Sequence, residues 1–290
     1  MGNILQRIEW KERTEKLNDL LQKNVLSIEA LEQGFEAEVM KLQNSDEEFV
    51  IKIWNKSANP NIGYQYFLLK ALLERGIPVP KVFGWGWNKD GQQVLLTSFD
   101  GTQLTSFTEN SMKEIGKILS TIHLIDAQGE FQFPTPDFIR HFFPDIHRHK
   151  DLEAILKTIM SAVKMRHDCL IHGDFHLQNI VEEGDRFTVI DWTNGQLGDS
   201  RYDFAWSRML TKLYLSESLS VNFSMSYLEK HPIQMEEIKN FEAIAILRWL
   251  LLHRNGGVPI GNDTVERVLA LISANSILKD HSVDEIQILG

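Results

Sequence analysis

The sequence predicts an α+β chain in two parts. A small antiparallel five-stranded lobe with one helix comes first, and a larger, mainly helical lobe follows. Three observations carry this. Short β-type runs dominate residues 25–100. Amphipathic helical patterns dominate after residue 101. Between short strands, the stretch from Cys169 to Trp206 gathers His172, Asp174, Asn179, Asp191 and Asp203. At 290 residues the chain is long enough to bury a sizeable core without covalent staples.

Residues 1–24 are charged, with Ile4, Ile8, Leu17, Leu20 and Leu21 at near-helical spacing, which predicts an N-terminal helical extension. Runs at 25–28, 37–42 and 48–54 read as strands of a meander, separated by turns at 33–34 and 44–46. The first turn has Gly34 as its one glycine, so it reads as turn geometry rather than a phosphate cradle. In the third strand, alternation puts Val50, Lys52 and Trp54 on one face and Ile51 and Ile53 on the other. Lys52 is either a solvated lysine or a cation aimed at phosphate oxygens.

The run NIGYQYFLLKALLER over 61–75 predicts a helix with Leu68, Leu69, Leu72 and Leu73 as its apolar stripe, ended by Gly76. Two more strands, 81–87 and 92–99, flank a hairpin turn at 88–91. Asp100, Gly101 and Thr102 read as a linker between lobes. Helices then follow over 110–125, 151–165, 236–254 and 263–278. Residues 126–150 are irregular and rich in proline, phenylalanine and histidine.

Composition narrows the setting. Hydrophobic residues at 43% and charged residues at 24% are ordinary for a soluble globular protein. The single cysteine, Cys169, excludes an internal disulfide framework and fits a reducing, cytoplasmic setting. A net charge of −10 argues against a nucleic-acid partner and is compatible with a cationic substrate. No leader pattern and no apolar run of about 18 residues is seen, so no membrane partner is expected. The first six residues begin like a myristoylation signal but carry Gln6 where Ser or Thr is wanted.

The chemistry lies in the stretch CLIHGDFHLQNIVEEGDRFTVIDWTNGQLGDSRYDFAW. Two strands flank the turn at 182–185, with Asn179 at the start of one and Asp191 at the end of the other. Both side chains then share one end of a hairpin and can hold one cation. Two oxygen ligands, completed by phosphate oxygens and water, suit magnesium. Asp174, on the preceding loop, is free to accept a hydroxyl proton. Two other readings stand beside this one. His172, Asp174 and His176 could ligate zinc or iron with help from His141, His147, His149 or His167. Alternatively, each residue is an ordinary turn former, cap or packed histidine.

HGDFHLQNIV, then FTVIDW, then LGDSRYDFAW resemble the aminoglycoside phosphotransferase and choline kinase family, which has the bilobal protein-kinase-like fold. Phe204 stands for the family's usual leucine. The resemblance covers roughly residues 25–206, with 236–254 fitting a family core helix more loosely. It implies a nucleotide-binding small lobe over 25–100 and a catalytic and substrate-binding large lobe over 101–290. It implies Asp174 as catalytic base, Asn179 and Asp191 as Mg2+ ligands, and His172 and Asp203 as residues that fix the catalytic loop. Lys52 would contact the α- and β-phosphates of ATP or GTP. Thr97, Ser98 and Phe99 would form the hinge that hydrogen-bonds adenine through its backbone. The family's lysine-pairing glutamate falls on Gln65, which could hydrogen-bond Lys52 but not neutralise it unless Glu36, Glu38 or another acid substitutes.

The implied activity is Mg2+-dependent transfer of a nucleotide γ-phosphoryl group to a small-molecule hydroxyl. An aminoglycoside-type antibiotic is one acceptor class, with antibiotic resistance as the consequence. A choline, homoserine or sugar kinase is the alternative, and a catalytically silent nucleotide-binding module is another. Glu236, Glu237, Glu242 and Asp263 could receive an amino sugar. Phe131, Phe133, Phe138, Phe142 and Phe143 could line an apolar pocket, or be core.

Overall fold

The computed structural model describes residues 4–22, 27–31, 37–45, 47–57, 60–126 and 132–279. The expectations at Gly34, Glu36 and Phe131 lie outside them. The chain divides into two compact units: residues 1–103 with 180–193, and residues 104–179 with 194–290.

The first unit is built on an antiparallel sheet of β1 (Ile8–Arg13), β2 (Ser27–Ala30), β3 (Ala37–Gln43), β4 (Glu48–Trp54), β5 (Val82–Asn88) and β6 (Gln93–Ser98), in the order β1-β5-β6-β4-β3-β2. The period-2 reading of β4 holds. Phe49, Ile51 and Ile53 point into the core with Met40, Leu42, Val94 and Leu96, whereas Val50 and Lys52 stay half-exposed. Lys52 lies opposite Val39 on one side and Leu95 on the other. Helix α2 (Ile62–Glu74) packs on β5 and β6. Asn61 starts it by accepting the Tyr64 N–H on its side chain. Gly76, at φ +76°, ends it.

Five strands were expected here, and the sheet has six. The extra strand is β1, from the segment expected to be wholly helical. Among the described residues, only α1 (Glu15–Gln22) and a 3-10 turn at Ile4–Arg7 are helical there. The segment IEWKER alternates, burying Ile8 and packing Trp10 on the core, and its neighbour β5 is shaped to receive it. Gly86 faces Trp10 across the ladder, and a Cβ there would sit 2.3 Å from the Glu9 carbonyl oxygen. A Cβ on Gly84 would sit 2.4 Å from a methyl of Leu17. The GWG of β5 is therefore the imprint of β1 and α1 lying against it.

The linker expectation at residues 100–102 also changes. Thr102 and Gln103 form a short strand β7, which pairs with β9 (Ile180–Glu183). β9 in turn pairs with β10 (Arg186–Val189). Gly101 permits this pairing: its φ is +112°, and a Cβ would meet the Glu182 carbonyl oxygen at 2.0 Å.

The second unit is helical around one core. Its elements are α3 (Glu109–His123), α4 (Phe138–Phe142), α5 (Lys150–Ala162), α6 (Ser200–Tyr214), α7 (Glu217–Leu228), α8 (Met235–Arg254) and α9 (Thr264–Ala274). The short strands β8 (Cys169–Ile171) and β11 (Gln196–Gly198) pair antiparallel. α8 is buried on nearly all sides, from Ile238 to Leu251. Phe138, Phe142 and Phe143 belong to the core it centres, so the aromatic run is packing rather than a pocket wall. α3 lies close on α7 because Gly116 faces the Phe223 carbonyl with no room for a Cβ. Among the described residues, no helix is long and apolar enough to cross a membrane.

Candidate active site

In the second unit, β8 ends at Ile171 and the chain enters the loop that carries Asp174. Asp203, in the first turn of α6 and fully buried, fixes the start of that loop. It accepts the His172 N–H at 2.8 Å and the Gly173 N–H at 2.9 Å. His123 Nε2 lies 3.1 Å from the same carboxylate, and His123 Nδ1 lies 2.7 Å from the Tyr227 hydroxyl. A carboxylate this buried persists only when its oxygens are satisfied, and here two backbone donors and an imidazole do so. His172 is also fully buried, and its Nδ1 takes the Asp174 N–H at 3.3 Å. Gly173, at φ +79°, makes the sharp turn between them.

The Asp174 carboxylate is held from three sides. Trp206 Nε1 donates to Oδ1 at 2.9 Å, Arg248 Nη2 lies 3.4 Å from the same oxygen, and His176 Nε2 lies 3.4 Å from Oδ2. Burial alone would raise its pKa. The His176 hydrogen bond and the charge of Arg248 outweigh burial and hold the carboxyl well below its ordinary range. Asp174 is therefore ionised at neutral pH. Asn179 turns its Nδ2 inward, donating to the Asp174 carbonyl at 3.0 Å and lying 3.1 Å from His176 Nε2. That orientation leaves Asn179 Oδ1 without a partner among the described residues.

Arg248 is the residue that motif reading missed. It sits mid-way along α8, and its Nη1 donates to the Gly173 carbonyl and to the Tyr202 hydroxyl, both at 2.9 Å. Its guanidinium lies 4.2 Å from the Trp206 ring centroid and 4.8 Å from that of Phe142. One signal could have found it: a lone arginine inside the apolar run AIAILRWLLL must bury a cation, and a buried cation needs a carboxylate partner.

In the first unit, Lys52 Nζ pairs with Asp191 Oδ2 at 3.0 Å, and Thr193 Oγ1 donates to Asp191 Oδ1 at 2.8 Å. Asp191 adopts φ +60°, a left-handed conformation uncommon outside glycine. Gln65 is buried in α2, and its Nε2 has no hydrogen-bond partner among the described residues. The acid that meets Lys52 is thus Asp191. At Thr97, Ser98 and Phe99 the chain leaves β6, and the Ser98 and Phe99 N–H groups donate to Lys81 and Glu48 carbonyls at 2.8 and 3.2 Å. Among the described residues, no group of three or more His, Cys, Asp or Glu side chains gathers as a metal cluster.

A cavity of about 440 Å³ opens beside Asp174 within the second unit. The acids considered for an amino sugar are committed elsewhere. Glu237 pairs with Arg201 and lies 3.5 Å from Arg166. Glu242 pairs with Arg208, Asp263 with Arg267 at 2.8 Å, and Glu236 lies 3.9 Å from Lys239.

Residues 27–229 match the family model described as the phosphotransferase enzyme family. The chain belongs to that family. No curated protein matches its sequence. Among solved structures, this phosphotransferase is similar to a choline kinase of Streptococcus pneumoniae, at 18% identity and TM-score 0.63 over 92% of this chain and 97% of that one. It is similar to an aminoglycoside phosphotransferase solved with AMP-PNP and hygromycin B, at 15% identity and TM-score 0.63 over 91% and 98%. It is also similar to a Plasmodium vivax ethanolamine kinase, at 16% identity and TM-score 0.62 over 91% and 86%. The fold is protein-kinase-like, as in those enzymes.

Proposed function

We propose that this phosphotransferase moves the γ-phosphoryl group of ATP onto a hydroxyl of a small molecule in the cytoplasm, with Asp174 as the base. The observation that carries this is the Asp174 carboxylate, ionised, clamped by Trp206, His176 and Arg248, and facing a cavity large enough for a small molecule. Adenine nucleotides in complexes of structural neighbours support ATP over GTP as donor.

Asn179 and Asp191 offer amide and carboxylate oxygens, the hard donors that Mg2+ takes, and they would hold the ion in this reading. When bound, it neutralises charge on the donor's phosphate oxygens. Lys52 adds a cation for the same phosphates, and its ion pair with Asp191 fixes where that cation stands. Asp203 and His172 position the loop. Asp174 orients the acceptor hydroxyl and takes its proton as the bond to phosphorus forms. Its low pKa makes it a weak base, which suits a loose transition state in which the proton leaves late.

The test is incubation of the full chain with Mg-ATP and single acceptors, followed by phosphorus NMR. A phosphoester that appears in step with ADP supports the reading. ADP with only inorganic phosphate, or nucleotide binding with no turnover on any acceptor, favours a nucleotide-binding module.

A further inference from the structure

We infer that the acceptor hydroxyl is carried on a molecule with a predominantly apolar body rather than on a polyamine. The inference rests on the phosphoryl-transfer reading above. It comes from what the cavity wall has left to offer a ligand.

The polar members with free capacity come from one short stretch, the loop bearing Asp174, His176 and Gln178. Most of the remaining wall is side chains of α3, α6, α7 and α8, with Met112, Ile115, Leu210, Phe223 and Leu252 among them, and residues 257–259. The hydroxyl hydrogens of its other polar side chains are already committed. Ser207 donates to the Phe175 and Asp203 carbonyls at 2.7 and 2.9 Å, and Thr211 donates to the Ser207 carbonyl at 2.8 Å. The Tyr214 hydroxyl receives the Trp249 N–H at 2.9 Å and donates to the Pro259 carbonyl at 3.1 Å. Asp174 is the one carboxylate among the lining residues, and Arg248 already answers its charge.

The ammonium groups of a polyamine placed against this wall would lose their hydration and find no free carboxylate among the lining residues, whereas a single quaternary ammonium can lie on aromatic faces such as Phe107 and Tyr214. Glu236, Glu237, Glu242 and Asp263 of the same unit are not among the residues that line the cavity. An apolar body gains from every methylene it buries there, while its hydroxyl reaches the polar loop. The site therefore reads as polar at the reacting end and hydrocarbon-like beyond it.

The experiment measures ADP release and phosphoester formation by the full chain with Mg-ATP. The acceptors are straight-chain primary alcohols from butanol to octanol, with kanamycin alongside. Binding of each is followed in parallel by thermal shift. The expected result is that kcat/KM rises about fourfold per added methylene, with kanamycin no better than buffer. Leu252→Glu should lower kcat/KM for octanol by at least about tenfold. A flat chain-length series, absence of alcohol binding, or preferential phosphorylation of kanamycin overturns the inference. The last of these leaves the phosphoryl-transfer reading standing. Chain-length-dependent binding without any phosphoester does the reverse: the ligand class stands and the transfer reading falls.

Discussion

Arg248 links the core of the helical unit to the chemistry. It is buried, stacked on Trp206, bonded to the Gly173 carbonyl, and 3.4 Å from Asp174. Arg248→Met removes a charge-assisted hydrogen bond from the loop, a loss of about 1.5–3 kcal/mol, or roughly 10- to 150-fold in kcat. It also removes one of the charges that depress the Asp174 pKa. Ionised Asp174 is the active form, so the acidic limb of the kcat/KM profile should move to higher pH in the variant. Arg248→Lys, which keeps the charge, should largely restore the limb but not the rate. A merely structural arginine would change kcat and leave the limb in place. The same loop leaves a second mark on pH dependence. The folded pKa of Asp174 lies below the unfolded value of about 3.9, so its contribution to stability is present above that value and fades as pH falls through the folded one. Cys169, on the preceding strand, shows the opposite shift: burial, aided by the charges of Asp203 and Asp168, pushes its thiol up to about 12. Iodoacetamide at pH 8 should leave it unlabelled in the folded chain and label it in urea, as mass spectrometry would show.

At the scale of elements, close approach decides more than propensity does. β1 exists because β5 carries glycine at 84 and 86, where Glu9, Trp10 and Leu17 occupy the space of a side chain. Gly86→Val should cost at least about 1–3 kcal/mol, as overpacked cores do, read as a lower urea midpoint at unchanged slope. The strands β3 and β4, the helix α2 and the long α8 were legible because their apolar periods are strong and their turns are marked. β1 was not, because IEWKER is short and charged, and its signal lay more than 70 residues away in GWG. α7 was missed for a different reason. ESLSVNFSMSYL has no amphipathic stripe, and its serines favour non-helical backbone. They are accommodated by bonding back along the helix, as Ser224 does to the Ser220 carbonyl at 2.7 Å.

Across the whole molecule, the two units interleave in sequence: residues 180–193 return to the first unit after the loop bearing Asp174 has been laid down in the second. The residues that carry the chemistry were legible because they are crowded into one stretch with fixed spacing. Their support was not. Arg248, Trp206 and Tyr227 are brought in by helix packing, which no local pattern encodes, and the pairing of Lys52 with Asp191 spans 139 positions. The acceptor was the least legible feature. Its carboxylate candidates are all ordinary residues in sequence, and the fold sets them aside because none lines the cavity beside Asp174. The central claim is that Asp174 is the base of a phosphoryl transfer, and single-turnover kinetics of Asp174→Asn with [γ-32P]ATP and a primary alcohol acceptor tests it most directly. The account predicts that transfer slows about 10²- to 10⁴-fold while the dissociation constant for Mg-ATP stays within about threefold. Transfer at a near wild-type rate with nucleotide bound would contradict it.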